Sequence, residues 1–125
     1  MSDKIIIHID WDTFGKLAQG LVAKIKDSGF TFDGVYGIPR GGLPLAVIMS
    51  HHLNLPLLVR STTESLVVDD ISDEGTTLST IKHKKIATLI TTPWTQTKPD
   101  FCMESKVKRD SWVVFPWENL ETEGQ

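Results

Sequence analysis

Val67-Val68-Asp69-Asp70-Ile71-Ser72-Asp73-Glu74-Gly75-Thr76-Thr77 passes from apolar to acidic to small and hydroxylated side chains. Leu66-Val67-Val68 has the composition of a buried strand. Two carboxylates follow at once, then a glycine and hydroxyl residues that lead into a short helix predicted from about Thr76 to Lys82. Such a turn at a helix amino end is an anion cradle, because free backbone N–H groups point at the ligand and the helix dipole favours negative charge. Hydroxyls of Ser72, Thr76 and Thr77 can add direct hydrogen bonds to phosphate. Asp69 and Asp70 would repel phosphate if they faced it. They suit ribose hydroxyls, or a Mg²⁺ that bridges hydroxyls and pyrophosphate. The stretch therefore predicts a site for a sugar phosphate with a metal.

Outward from this stretch, strands and helices alternate. Lys4–Ile9 reads as a strand of β-branched residues. A helix follows over roughly Thr13–Asp27, capped by Asp12 or Thr13, with Phe14, Leu17, Leu21, Val22 and Ile25 at helical spacing and an end at Ser28-Gly29. Gly34–Ile38 reads as a buried strand, Leu43–Leu53 as an apolar helix, and Leu55–Val59 and Ser65–Val68 as two further strands. Ile86–Thr91 is another strand, with shorter β-like pieces around Phe101 and Trp112–Phe115. Continuous apolar strands alternating with helices predict an α/β fold whose parallel sheet is covered on both faces. Ligands of such sheets sit beyond the carboxyl ends of the strands. The loops at Ile38–Gly42 and Asp69–Gly75 both fall there.

Composition narrows the function classes. The chain has 125 residues, 40% hydrophobic and 23% charged, with a net charge of −3. That balance argues against neutralising a nucleic-acid backbone, and Lys82–Lys85 and Lys106–Arg109 read as solvated local clusters. The single Cys102 excludes an internal disulfide and a cysteine metal knuckle. The longest apolar runs fall well short of the ~20 residues of a membrane span, so the expectation is a cytoplasmic protein with no membrane partner. His8, His51, His52 and His83 lack partners at metal-ligand spacing.

A second loop, Gly37-Ile38-Pro39-Arg40-Gly41-Gly42, offers paired glycines for a tight turn and a guanidinium whose fork of donors matches phosphate oxygens. Near the carboxy terminus, Pro93-Trp94, Lys98-Pro99-Asp100 and Ser111-Trp112-Val113-Val114-Phe115-Pro116-Trp117-Glu118 concentrate three of the four tryptophans.

On these residues the chain resembles the type I phosphoribosyltransferases. Val67–Leu78 resembles their signature for 5-phosphoribosyl-1-pyrophosphate (PRPP). From Lys4 to Glu118 the chain is similar to small microbial and archaeal xanthine-guanine or hypoxanthine-guanine enzymes. The resemblance implies one domain over residues 1–120, a mainly parallel sheet flanked by helices with a small hood at about 93–118, and a polar tail at 121–125. It implies Mg²⁺-dependent transfer of a 5-phosphoribosyl group from PRPP to a purine base of the guanine, xanthine or hypoxanthine type, with release of pyrophosphate. Arg40, Gly41 and Gly42 would hold pyrophosphate. Asp69 and Asp70 would meet the ribose hydroxyls and the metal, while Ser72, Glu74, Gly75, Thr76 and Thr77 would line the 5-phosphate. Asp73 would act as the catalytic proton acceptor near the purine N7. Trp112 would stack on the base, the backbone at Val113 would contact its edge, and Trp117 reads as a core or subunit contact. The family also implies a homodimer or higher homo-oligomer.

Four departures stand out. Glu74 replaces a frequent threonine and adds charge beside the cradle. Pro39 replaces a serine or alanine. Thr92, before Pro93, stands where those enzymes carry a lysine that reads the oxygen at C6, and Lys98 could substitute only if its loop folds back. Most importantly, only Arg60-Ser61-Thr62-Thr63-Glu64 joins two strands where the family has a long mobile lid, which leaves Arg60 as a candidate cation near pyrophosphate. The alternative implied by that gap is a non-catalytic or regulatory PRPP- or nucleotide-binding protein.

Overall fold

The computed structural model describes residues 5–80, 85–106 and 108–118. Lys4, the predicted end of the third helix at Ile81–Lys82, His83 and the tail at 121–125 lie outside them. The elements in chain order are β1 (Ile5–His8), α1 (Trp11–Ser28), β2 (Val35–Gly37), α2 (Leu43–Leu53), β3 (Leu57–Leu58), β4 (Leu66–Ser72), α3 (Thr76–Ser79), β5 (Lys85–Thr91), β6 (Phe101–Ser105) and β7 (Ser111–Val114). Five strands form a sheet in the order β3-β2-β4-β5-β6, and every pairing in it is parallel. The parallel α/β expectation holds. β1 is not part of this sheet: it pairs in parallel with β7, Trp112 opposite Ile6 and Val113 opposite Ile7.

Helix α1 begins earlier than its apolar spacing suggests. Asp10, not Asp12 or Thr13, is the N-cap, its Oδ1 accepting from the Thr13 amide at 2.8 Å. Asp12 lies in the first turn and pairs with Lys16 on the exposed face. The helix stops at Gly29, whose φ of 77° is a left-handed conformation that costs glycine little. Phe14, Ala18, Leu21, Val22 and Ile25 form its buried stripe and pack with Leu45, Ala46 and Met49 of α2 on one face of the sheet. Fully burying side chains such as Leu21, Leu45 and Leu89 stabilises the fold by roughly 1.5–3 kcal/mol each.

The pleat of β4 divides the core. Leu66 and Val68 point into the large cluster under α1 and α2, whereas Val67 joins Ile38, Leu78 and Ile86 on the opposite face. Strand β4 also runs further than predicted. Asp69, Asp70, Ile71 and Ser72 continue the ladder, with Asp69 opposite Thr88 and Ser72 opposite Thr91 of β5. The carboxylates thus stand on a strand end held by a neighbour, which fixes them more tightly than a loop would.

Candidate functional site

Backbone contact brings the two predicted loops together. The Ile38 amide donates to the Val68 carbonyl at 2.9 Å. A β-carbon at Gly41 would run into the Asp70 carboxylate, and one at Gly42 into the Val68 carbonyl and the Ile38 backbone. Gly42 has an ordinary φ of −81°, so close approach rather than turn geometry demands this glycine. The Pro39–Arg40 peptide is cis. Arg40 is exposed, and its guanidinium makes no hydrogen bond or ion pair among the described residues.

Asp69 and Asp70 sit side by side at the end of β4. The Asp70 amide donates to Asp69 Oδ1 and the Ile71 amide to Asp70 Oδ1, both at 2.8 Å. Burial, then repulsion by Asp70, pushes the Asp69 carboxyl up to about 8. Among the described residues no group of three His, Cys, Asp or Glu side chains could hold a metal. A pair of crowded carboxylates nevertheless fits a hard cation that takes its remaining ligands from a substrate or water.

Beyond the carboxylates, Ile71–Leu78 curls around a cavity of about 210 Å³ lined by Asp69, Ile71, Ser72, Asp73, Glu74, Gly75, Thr76, Thr77 and Leu78. Gly75 has φ 78°, and a β-carbon there would meet Thr95 and the Thr97 amide. Segment 95–97 braces this turn: the Gln96 amide donates to Glu74 O at 3.0 Å and Thr97 Oγ1 to Gly75 O at 2.7 Å. Ser72 is only 1% exposed and spends its hydroxyl on Thr97 O at 2.7 Å, with Thr95 Oγ1 also in contact. Its hydroxyl proton is thus engaged by the backbone of segment 95–97, although Ser72 lines the cavity as expected. Thr76 and Thr77 remain exposed, with Gln96 donating to Thr76 Oγ1. Helix α3 has four described residues, so attraction for an anion would come from local N–H groups more than from a macrodipole.

A second cavity of about 200 Å³ is lined by Asp70, Ile71, Asp73, Lys106, Trp112, Val113, Phe115 and Glu118. It shares Ile71 and Asp73 with the first. Trp112 and Val113 thus reach the wall that holds Asp73. Trp117 is instead part of an aromatic cluster, stacked on Phe115 and edge-on to Phe14.

Asp73 is gripped from both sides. Trp94 Nε1 donates to Oδ1 at 3.0 Å and Lys106 Nζ to Oδ2 at 2.8 Å. Lys106 was expected in a solvated cluster, yet it is only 8% exposed. Arg109 reaches Glu74 at 3.2 Å and lies 4.5 Å from the centre of the Trp94 ring. Glu74 therefore points towards the hood, with a cation beside it. Thr92 donates its hydroxyl to Asp73 O at 2.5 Å, while Lys98 is exposed and lines neither cavity. The roles of Lys106, Trp94 and segment 95–97 were missed. Thr95-Gln96-Thr97 follows a parallel strand, a position that could have signalled a site-bracing loop; Lys106 carried no such signal.

The expected lid position holds a tethered link. Between β3 and β4 the Thr62 hydroxyl donates to Asp33 Oδ2 at 2.7 Å, the Asp33 amide to Glu64 O at 3.1 Å, and the Thr62 amide to Ser65 Oγ at 2.9 Å. Arg60 is exposed and lines neither cavity. None of the described helices is long and apolar enough to cross a membrane.

This parallel sheet, with its two strand-end loops and carboxy-terminal hood, is the fold of the type I phosphoribosyltransferases. Within that class the chain resembles the xanthine-guanine enzymes. It is 24% identical to the xanthine-guanine phosphoribosyltransferase of Cereibacter sphaeroides over 89% of this chain and 86% of the relative. The structure of a purine phosphoribosyltransferase from Pyrococcus horikoshii is similar with a TM-score of 0.74 and 27% identity, covering 91% of this chain and 94% of that one. The xanthine-guanine-hypoxanthine phosphoribosyltransferase of Helicobacter pylori has a TM-score of 0.75 and 22% identity over 94% and 96%. No protein-family model matches the chain.

Proposed function

We propose that the protein transfers a 5-phosphoribosyl group from PRPP to a purine base and releases pyrophosphate. The observation that carries this reading is the pair of cavities that meet at Ile71 and Asp73, one a small-residue cradle and the other walled by Trp112. A ribose bridging the cavities would set its 5-phosphate against Gly75, Thr76 and Thr77, with the Ser72–Glu74 turn behind it. Asp69 and Asp70 would take the ribose hydroxyls and hold Mg²⁺, which would offset charge on the departing pyrophosphate. Arg40 and the Gly41-Gly42 backbone would bind that pyrophosphate, a role that suits an exposed guanidinium with no hydrogen bond or ion pair among the described residues. In the reaction the bond from C1 of the ribose to pyrophosphate oxygen breaks and a base nitrogen bonds to C1. The proton lost from the base's five-membered ring goes to Asp73, whose carboxylate Trp94 and Lys106 hold in one orientation. Trp112 would stack on the base, a contact of roughly 1–3 kcal/mol.

A second reading, a PRPP- or nucleotide-binding protein without turnover, is favoured by the tethered link at residues 59–65. A closing lid excludes water and completes a site, and a short link tied to Asp33 favours a site left open. The test is incubation with PRPP, Mg²⁺ and each of guanine, xanthine, hypoxanthine and adenine, with nucleotide and pyrophosphate as readouts. Nucleotide formation supports the transferase. Calorimetric PRPP binding with no product from any base refutes it in favour of the second reading, and absence of PRPP and nucleotide binding refutes both.

A further inference from the structure

We infer that Arg109, carried by the turn between β6 and β7, is the cation that binds the 5-phosphate, and that Glu74 and Trp94 hold it beside the cradle in position to do so. The inference rests on the proposed transferase reading and deepens it by adding a residue that neither strand-end loop contains. It starts from a charge imbalance. The cavity assigned to the 5-phosphate is lined, among the described residues, by three acidic side chains, Asp69, Asp73 and Glu74, and by no basic one. A phosphate placed there meets like charge at short range. Helix α3 has four described residues, which offer local N–H groups but little dipole. Lys106 does not correct the imbalance, because it bonds to Asp73 at 2.8 Å and lines the other cavity.

Arg109 is placed to supply what the cradle lacks. Its Nη1 donates to Glu74 Oε2 at 3.2 Å, and its guanidinium carbon lies 4.5 Å from the centre of the Trp94 ring. Both supports are fixed to the phosphate turn: Trp94 Nε1 donates to Asp73 Oδ1 at 3.0 Å, and the Gln96 amide to Glu74 O at 3.0 Å. A guanidinium has five N–H donors, and among the described residues this one makes a single hydrogen bond. That bond is longer than the roughly 2.7–2.9 Å of a tight charge-assisted contact. The two side chains are 64% and 62% exposed, so the pair adds little to folding stability and its long arginine arm is free to turn. Stacking on Trp94 fixes the plane of the fork and leaves donors along its edge for an oxyanion. Once Arg109 reaches between Glu74 and a phosphate, the hood and the cradle are joined through the ligand.

The experiment is calorimetry of ribose 5-phosphate, which works with or without turnover, and inorganic pyrophosphate with Mg²⁺ is the control ligand for the Arg40 loop. Arg109→Met should weaken ribose 5-phosphate binding about tenfold or more, the worth of a hydrogen bond between charged groups, and leave pyrophosphate binding unchanged. A Glu74→Gln background separates contact with the phosphate from mere neutralisation of Glu74, because the amide carries no charge to neutralise. If Arg109 meets the phosphate, Arg109→Met still weakens binding about tenfold in that background. A loss seen only when Glu74 is present overturns the inference, as does no loss in either background or an equal loss for pyrophosphate. The exposed side chain makes misfolding of the variant an unlooked-for result, and Arg109→Gln is a second variant with the same expectation. A wild type that binds ribose 5-phosphate without dependence on Arg109 sinks this inference alone. One that binds neither ribose 5-phosphate nor PRPP sinks the transferase reading with it.

Discussion

Replacing Asp69 with asparagine should stabilise the ligand-free protein at neutral pH and flatten its stability profile. In the folded chain, burial and the neighbouring Asp70 raise the Asp69 carboxyl from 3.8 to about 8. The folded state therefore binds more protons than the unfolded state between these values, and stability falls as pH rises through this window. It is full below the unfolded value of 3.8 and levels off above about 8. Each pH unit inside the window removes at most ~1.4 kcal/mol, which sets an upper bound of about 4 kcal/mol at pH 7. Asp69 is half-buried and screened by water, so we expect about 2 kcal/mol, or a rise in Tm of ~8 °C. Asparagine keeps the size of the protonated acid and carries no charge to desolvate. Urea unfolding of both proteins between pH 5 and pH 8 measures the effect. A variant that is less stable than wild type at pH 7, or whose stability declines with pH as steeply, would refute the reasoning. The same substitution should weaken binding of Mg²⁺ with PRPP, because a crowded carboxylate pair costs stability where it serves a ligand.

Gly75→Ala should lose about 1–2 kcal/mol from the left-handed backbone alone, more from the contact with Thr95, and should weaken ribose 5-phosphate binding; unfolding and calorimetry report the two separately. Asp70→Asn should weaken binding of Mg²⁺ with PRPP, and an unchanged affinity would count against the ribose and metal assignment. Trp112→Ala should cost roughly 1–3 kcal/mol in nucleotide affinity and leave ribose 5-phosphate affinity as it was. With its link tied down, the protein should also let water replace the base at C1 and hydrolyse PRPP to ribose 5-phosphate and pyrophosphate, measured as pyrophosphate in the absence of base; no such release from a protein that does form nucleotide would show that water is excluded by other means.

Much of the fold was legible because it is local. Helix α2 runs over the predicted residues Leu43–Leu53, since an apolar run flanked by glycine and asparagine has few other outcomes. The end of α1 at Gly29 was equally readable from one residue type. The start of α1 was not, because a cap is decided by which side chain meets a free amide, and Asp10, Asp12 and Thr13 all carry suitable oxygens. Strand β4 looked finished at Val68 because aspartate and serine disfavour strands, yet pairing with β5 carries it to Ser72; tertiary context overrode propensity.

By itself, the sequence determined an alternating parallel α/β chain with an acidic and glycine-hydroxyl turn at a strand end, because composition and short-range periodicity encode these. Only the tertiary structure decided that β1 leaves the main sheet for β7, that Gly41 packs on Asp70, and that Ser72 turns to Thr97. It alone brought Lys106 to Asp73 across 33 positions and Arg109 to Glu74 across 35. Such contacts depend on which strands become neighbours and on how far each turn lets the chain return. No local pattern carries that information, so a lysine in an ordinary basic run became a buried wall of the candidate site.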